Sequence, residues 1–337
     1  VYAAAAANLQ RWIDEVPYEA SQGPALFVYR LTQDGRSQTG VLGGCSVDEY
    51  DDGLIAIHER TRQAKEDDRT RHVVTMRCQA EPIFLAYRAR PEIDAAVQGI
   101  TQGDALFDFV AVDGVRHEVW AVPDADALSA AFEAVPMLYV ADGHHRAKSA
   151  SRARAELGSS RDDGAPCHRV MSVVFPDSEL TILPYNRVVT DLGGRTVEQA
   201  LAAIGERFPL QPVDSATPAQ HHDVCVYGGG RWYGLRMDPQ GGGVVDQLDC
   251  ALLQDQVLAP VFGIEDPRTD ARIDFVGGSR GTVELERRAD AIDGVAFSMF
   301  PTSLAELFAV ADAGEIMPPK STWFEPKLRS GLFLHRI

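Results

Sequence analysis

The apolar run Pro136-Met137-Leu138-Tyr139-Val140 leads without a linker into Ala141-Asp142-Gly143-His144-His145-Arg146, and the residues that follow, Ala147 to Leu157, are good helix formers. A strand that turns straight into a helix requires α and β elements packed in layers. It also aims the first-turn N–H groups and the positive end of the helix dipole at one place. Gly143 permits the tight turn and a close backbone approach. Two imidazoles and a guanidinium add donors for a phosphate, with Arg146 able to bind in bidentate fashion. The Asp142 carboxylate would repel that phosphate unless Mg²⁺ bridges the two or the carboxylate takes up a proton. The plainer alternative makes Asp142 a helix N-cap and the histidines polar surface.

The rest of the chain alternates short strands and helices. Ala25–Leu31 stops at Gln33-Asp34-Gly35, a hairpin signal, and the chain returns from Ser37 to Val41. A charged helical region is expected from Asp51 to about His72, and a buried strand over Pro82–Tyr87. Phe107–Val112, Asp113-Gly114 and Val115–Val122 read as a second hairpin. After Val170–Phe175 and Leu180–Leu183, the break at Leu192-Gly193-Gly194 places a domain boundary near residue 190. The second half carries a hairpin around Gly228-Gly229-Gly230, helices over Cys250–Leu258 and Ser303–Asp312, and strands near Ile273–Val276 and Ala296–Phe300. The expected fold is α+β with mixed sheets, in two domains of residues 1–190 and 191–337.

Composition narrows the function. Lys and Arg number 32 against 49 Asp and Glu, a formal charge of −17, which argues against coating nucleic acid or an anionic membrane. No stretch of about eighteen apolar residues exists, so no membrane span is expected. Val1–Ala7 continues into Asn8-Leu9-Gln10-Arg11-Trp12-Ile13 and reads as an amphipathic helix, not a signal peptide. Five widely spaced cysteines without a CxxC read as reduced thiols and point to the cytoplasm. Only four lysines occur: Lys65, Lys148, Lys320 and Lys327.

Other motifs are weaker. His58-Glu59-Arg60-Thr61-Arg62 lacks the second histidine of HExxH, which argues against zinc. His58 and Glu59 are candidates for a cleft, with Glu59 able to act as a general base, whereas the charges of Lys65–Arg69 suit a solvated ladder. Gly314 to Thr322 approaches a phosphate-loop pattern, but Pro319 lacks the N–H that such a loop needs. Pro318, Pro319 and Pro326 make Met317–Lys327 a rigid segment, either a linker or one that returns to the cleft with Lys320, Ser321 or Thr322 facing Asp142.

Tyr50–Arg69, Asp142–Arg146, Tyr185-Asn186-Arg187, Leu248-Asp249, Met317–Lys327 and Ser330-Gly331-Leu332 together resemble the domain-of-unknown-function family DUF1015. The Asp-Gly-His-His-Arg turn is similar to that of the ParB/sulfiredoxin-like superfamily, in which this loop binds nucleotide phosphates. Within that superfamily, free L-serine kinases use a glutamate base and the aspartate of this turn. The resemblance implies a ParB/sulfiredoxin-like first domain using ATP or ADP with Mg²⁺. Asp142 would act near the transferred phosphoryl and be the tentative Mg²⁺ ligand, and Gly143, His144, His145 and Arg146 would bind phosphate. Glu59 matches the base by its order along the chain. The expected partner is a small amino acid or hydroxy acid, and no oligomeric state is implied. Two alternatives stay open, a non-catalytic nucleotide-binding regulator of the ParB type and sulfiredoxin-like chemistry. The latter needs a cysteine near the turn, and Cys167 is twenty-one residues past Arg146.

Overall fold

The computed structural model of the protein describes residues 1–16, 18–21, 23, 25–158 and 164–337. They form two compact units, Val1–Leu180 with Pro326–Ile337, and Thr181–Glu325.

The first unit is built on an eight-stranded mixed sheet. Its order is Ile55–Ala56, Leu138–Asp142, Ile83–Tyr87, Arg169–Pro176, Arg36–Ser46, Phe27–Gln33, Arg116–Ala121 and Phe107–Val110. Ile83–Tyr87 is buried along its whole length and runs parallel to Arg169–Pro176 but antiparallel to Leu138–Asp142. This is the pattern of a continuous apolar run at a sheet centre. Phe27–Gln33 and Arg36–Ser46 join through Asp34 and Gly35, both at positive φ (51° and 76°), as the right-handed twist of a two-residue hairpin demands. The Asp113-Gly114 hairpin also forms as expected. Val41, Ile55, Leu85, Val140, Ala147 and Val174 meet in the core beneath the phosphate turn.

One expected helix does not form as read. The region from Asp51 to His72 divides into a short helix (Val47–Asp51), the strand Ile55–Ala56, an open segment 57–62 and a helix Gln63–Met76. His58 and Glu59 therefore sit on a loop. The cause is tertiary: main-chain N–H groups of this loop are taken by histidines 83 and 86 residues away, so they are not given to helical carbonyls.

The second unit has a six-stranded antiparallel sheet, ordered Gln211–Pro212, Arg231–Arg236, Asp223–Gly228, Val295–Met299, Tyr185–Val189 and Ile273–Gly277. Tyr185–Val189 precedes the sequence break at Leu192 yet pairs inside this sheet. Reciprocal capping boxes, Thr196 with Gln199 and Ser303 with Glu306, start its helices Val197–Gly205 and Leu304–Asp312.

The last residues complete the first unit. His335–Arg336 pairs with Cys78–Gln79, Gly331 N–H reaches the Ala80 carbonyl at 2.8 Å, and Ile337 N–H reaches that of Arg77 at 3.0 Å. The fold is α+β, a large mixed sheet with a second sheet unit. No helix of the described residues is long and apolar enough to cross a membrane.

Candidate active site

The Asp142–Arg146 turn begins where the Leu138–Asp142 strand ends. Gly143 is the N-cap of the His144–Glu156 helix at φ 98°, a left-handed conformation that favours glycine, and no side chain caps the first turn. The helix begins three residues earlier than its sequence reads, so both histidines lie in its first turn. Ala147, Ala150 and Ala153 are buried, and this small-residue face seats the helix closely on the unit.

Both imidazoles point into the 57–62 loop. His58 N–H approaches Nε2 of His144 at 3.4 Å, and Arg62 N–H donates to Nε2 of His145 at 3.0 Å. A ring whose Nε2 accepts can keep a donor only at Nδ1, so each histidine has half the donor capacity that its type suggests. The rings of His58 and His144 meet edge to face with centroids 4.5 Å apart. Both are buried, at 2% and 5% exposure. Burial pushes His58 down to about 4 against the opposing pull of Asp142, and burial, His58 and His145 together hold His144 well below its usual value. A hydrogen bond from the His58 ring to the Val140 main chain also opposes the effect of burial.

Glu59 is half-buried on the loop between these two anchor points. The loop is held further by Thr61, whose hydroxyl donates to Glu66 at 2.5 Å, and Glu66, 8% exposed, accepts from Arg152 of the turn's helix at 3.3 Å. Sequence reading assigned Glu66 to a solvated ladder. It is instead a buried brace between the two helices, and its i,i+4 charge pattern gave no sign of this.

Arg146 faces protein groups as well as the turn. Its Nη1 donates to the Pro82 carbonyl at 2.6 Å and lies 2.9 Å from Glu81, while its Nη2 is 3.0 Å from Asp142. Lys327, which the sequence did not single out as a site residue, lies 3.6 Å from the other Asp142 oxygen. Asp142 thus sits between two cations. The structure brings His58, Glu59 and Asp142–Arg146 into one neighbourhood of the first unit.

Lys320, Ser321 and Thr322 belong to the second unit. Lys320 takes a positive φ of 60° and its ammonium stands 5.5 Å from the Tyr185 ring centre. The Ser321 hydroxyl donates to the Pro318 carbonyl at 2.6 Å and touches the Cys250 thiol at 3.0 Å, so it fixes the turn from inside. The Lys320 carbonyl accepts from the buried Arg187 at 3.2 Å, which joins two of the segments the sequence had marked.

Several solved structures are similar over most of the chain. Free serine kinase in complex with AMP is 14% identical, covering 93% of this chain and 95% of that one, with a TM-score of 0.44. A mutant free serine kinase in complex with ADP is 15% identical, covering 94% and 95%, with a TM-score of 0.42. C-terminally truncated SbnI from Staphylococcus aureus is 15% identical, covering 84% and 82%, with a TM-score of 0.46. No curated protein matches the chain. A family model described as protein of unknown function, DUF1015, matches residues 1–251 of the 337, and the chain belongs to that family.

Proposed function

We propose that the protein is a nucleotide-dependent phosphotransferase acting on a small hydroxyl-bearing acceptor, with free L-serine the foremost candidate. The observation that carries this reading is the joining of two distant segments: the loop bearing Glu59 is tied to the first helical turn of the phosphate motif by His144 and His145. Phosphoryl transfer depends on positioning and charge neutralisation more than on covalent catalysis. A helix N-terminus with Gly143 at its cap offers main-chain donors to phosphate, and the Nδ1 edges of the histidines with Arg146 add to them. Glu59 would take the acceptor's hydroxyl proton. The acceptor oxygen then forms a bond to the terminal phosphorus of ATP or ADP, the bridging P–O bond breaks, and ADP or AMP leaves with that electron pair.

Among the described residues no three His, Cys, Asp or Glu side chains are arranged to hold a metal ion. Mg²⁺ fits only as an ion carried in on the phosphates, with Asp142 as its protein ligand, where it would neutralise phosphate charge. Free L-serine rests on the likeness of the Asp-Gly-His-His-Arg turn to that of free serine kinases.

The test is incubation with Mg-ATP or Mg-ADP and a mixture of amino acids and hydroxy acids, read by mass spectrometry. O-phosphoserine is the expected product. Nucleotide binding with no phosphorylated product from any acceptor would instead favour a regulatory nucleotide-binding protein.

A further inference from the structure

Lys327 stands 3.6 Å from Asp142, with both side chains about 40% exposed (43% and 40%). An exposed ion pair of that length adds little to stability. The backbone that carries it, by contrast, is firmly held. Gln38, 3% exposed on the Arg36–Ser46 strand, donates from Nε2 to the Pro326 carbonyl at 3.0 Å. A few residues further on, Gly331 is fixed from both sides, by Ala80 through its N–H and by the Tyr18 hydroxyl through its carbonyl at 2.6 Å. A buried polar side chain spent on one proline carbonyl makes sense if the residue after it must be placed accurately. The result is an ammonium whose stem is placed beside Asp142 by hydrogen bonds to the backbone around it.

Arg146 differs in kind. Its guanidinium is 20% exposed and already engages Pro82, Glu81 and Asp142, so handing it to a ligand would leave the Pro82 carbonyl without that donor. Lys327 can meet a phosphate oxygen beside Asp142 as a point charge that needs no fixed fork geometry.

We infer that Lys327 binds the terminal phosphate of the nucleotide, with Asp142 as its resting partner. This rests on the phosphotransferase reading and adds to it a residue 185 positions beyond Asp142. It also gives a basis for preferring nucleoside di- or triphosphates over monophosphates.

Calorimetry with ADP and with AMP on the full chain tests this. In Lys327→Met, ADP affinity is expected to fall tenfold or more and AMP affinity to change less than twofold, with the thermal midpoint unchanged. Lys327→Arg should recover most of the ADP affinity. Unchanged ADP binding in Lys327→Met, beside a wild type that binds ADP, overturns the inference and leaves the phosphotransferase reading standing. Equal losses for ADP and AMP overturn the terminal-phosphate assignment. A wild type that binds neither nucleotide overturns the phosphotransferase reading, and the inference with it.

Discussion

Arg62 donates its main-chain N–H to Nε2 of His145 at 3.0 Å, across 83 residues of sequence. The Asp142–Arg146 turn thereby sets the position of the loop that carries Glu59, so in the proposed reaction phosphate binding and proton transfer would share one mechanical link. In His145→Leu the Arg62 amide loses its acceptor and should exchange with solvent faster, as read by hydrogen exchange. Stability should drop by about 0.5–1.5 kcal/mol, the net worth of one such bond. An Arg62 amide equally protected in both proteins would break the link.

Arg146→Ala should have two separable effects. Loss of a charged hydrogen bond to phosphate weakens ADP binding by about 1.5–3 kcal/mol in calorimetry. Loss of the donor to the Pro82 carbonyl, 2.6 Å away, also lowers the unfolding free energy, by about 1–3 kcal/mol in denaturant melts. A variant with full stability and full affinity would show that the guanidinium serves neither role.

Glu59→Gln keeps the shape of the side chain and removes its basicity. A general base contributes about 10²–10⁴-fold to rate. Phosphate transfer should fall within that range while nucleotide affinity stays the same and the thermal midpoint moves by no more than a few degrees. Full turnover in this variant would return Glu59 to a structural role.

The buried His58–His144 pair makes stability pH-dependent in a defined direction. His58 is depressed from 6.5 to about 4, so between those values the unfolded chain binds more protons than the folded one. Acid therefore favours unfolding: the contribution is complete above about pH 6.5 and is lost as pH falls toward 4. Each such histidine contributes a slope of up to about 1.4 kcal/mol per pH unit. His58→Phe should flatten the slope in denaturant melts at stepped pH. A slope identical to wild type would mean that other groups dominate acid unfolding.

What the sequence conveyed depended on how local its cause was. The two hairpins were legible because Asp34-Gly35 and Asp113-Gly114 carry their turn chemistry within a few residues. The strand–turn–helix geometry at Asp142–Arg146 was legible for the same reason, its strand, glycine and helix being contiguous. The 57–62 loop was misread because its charges continue the spacing of the helix after it, while the bonds that open it come from His144 and His145. Tyr185–Val189 falls before the boundary read near residue 190, yet its hydrogen-bonding partners are Ile273–Gly277 and Val295–Met299. Lys327 could be noticed as a rare lysine, but its place beside Asp142 depends on Gln38, nearly three hundred residues earlier.

The second unit is inserted between Leu180 and Pro326 of the first. On the ribosome, the turn, its loop and the strand Cys78–Gln79 are all made before Thr181–Glu325, whereas Lys327 and the His335–Arg336 strand come afterwards. Throughout that interval the nascent first unit shows an uncovered strand edge at Cys78–Gln79 and carbonyls at Arg77 and Ala80 that await their donors. Vectorial synthesis therefore finishes this sheet last and at its most adhesive point, the stage at which a holding chaperone would act on the chain.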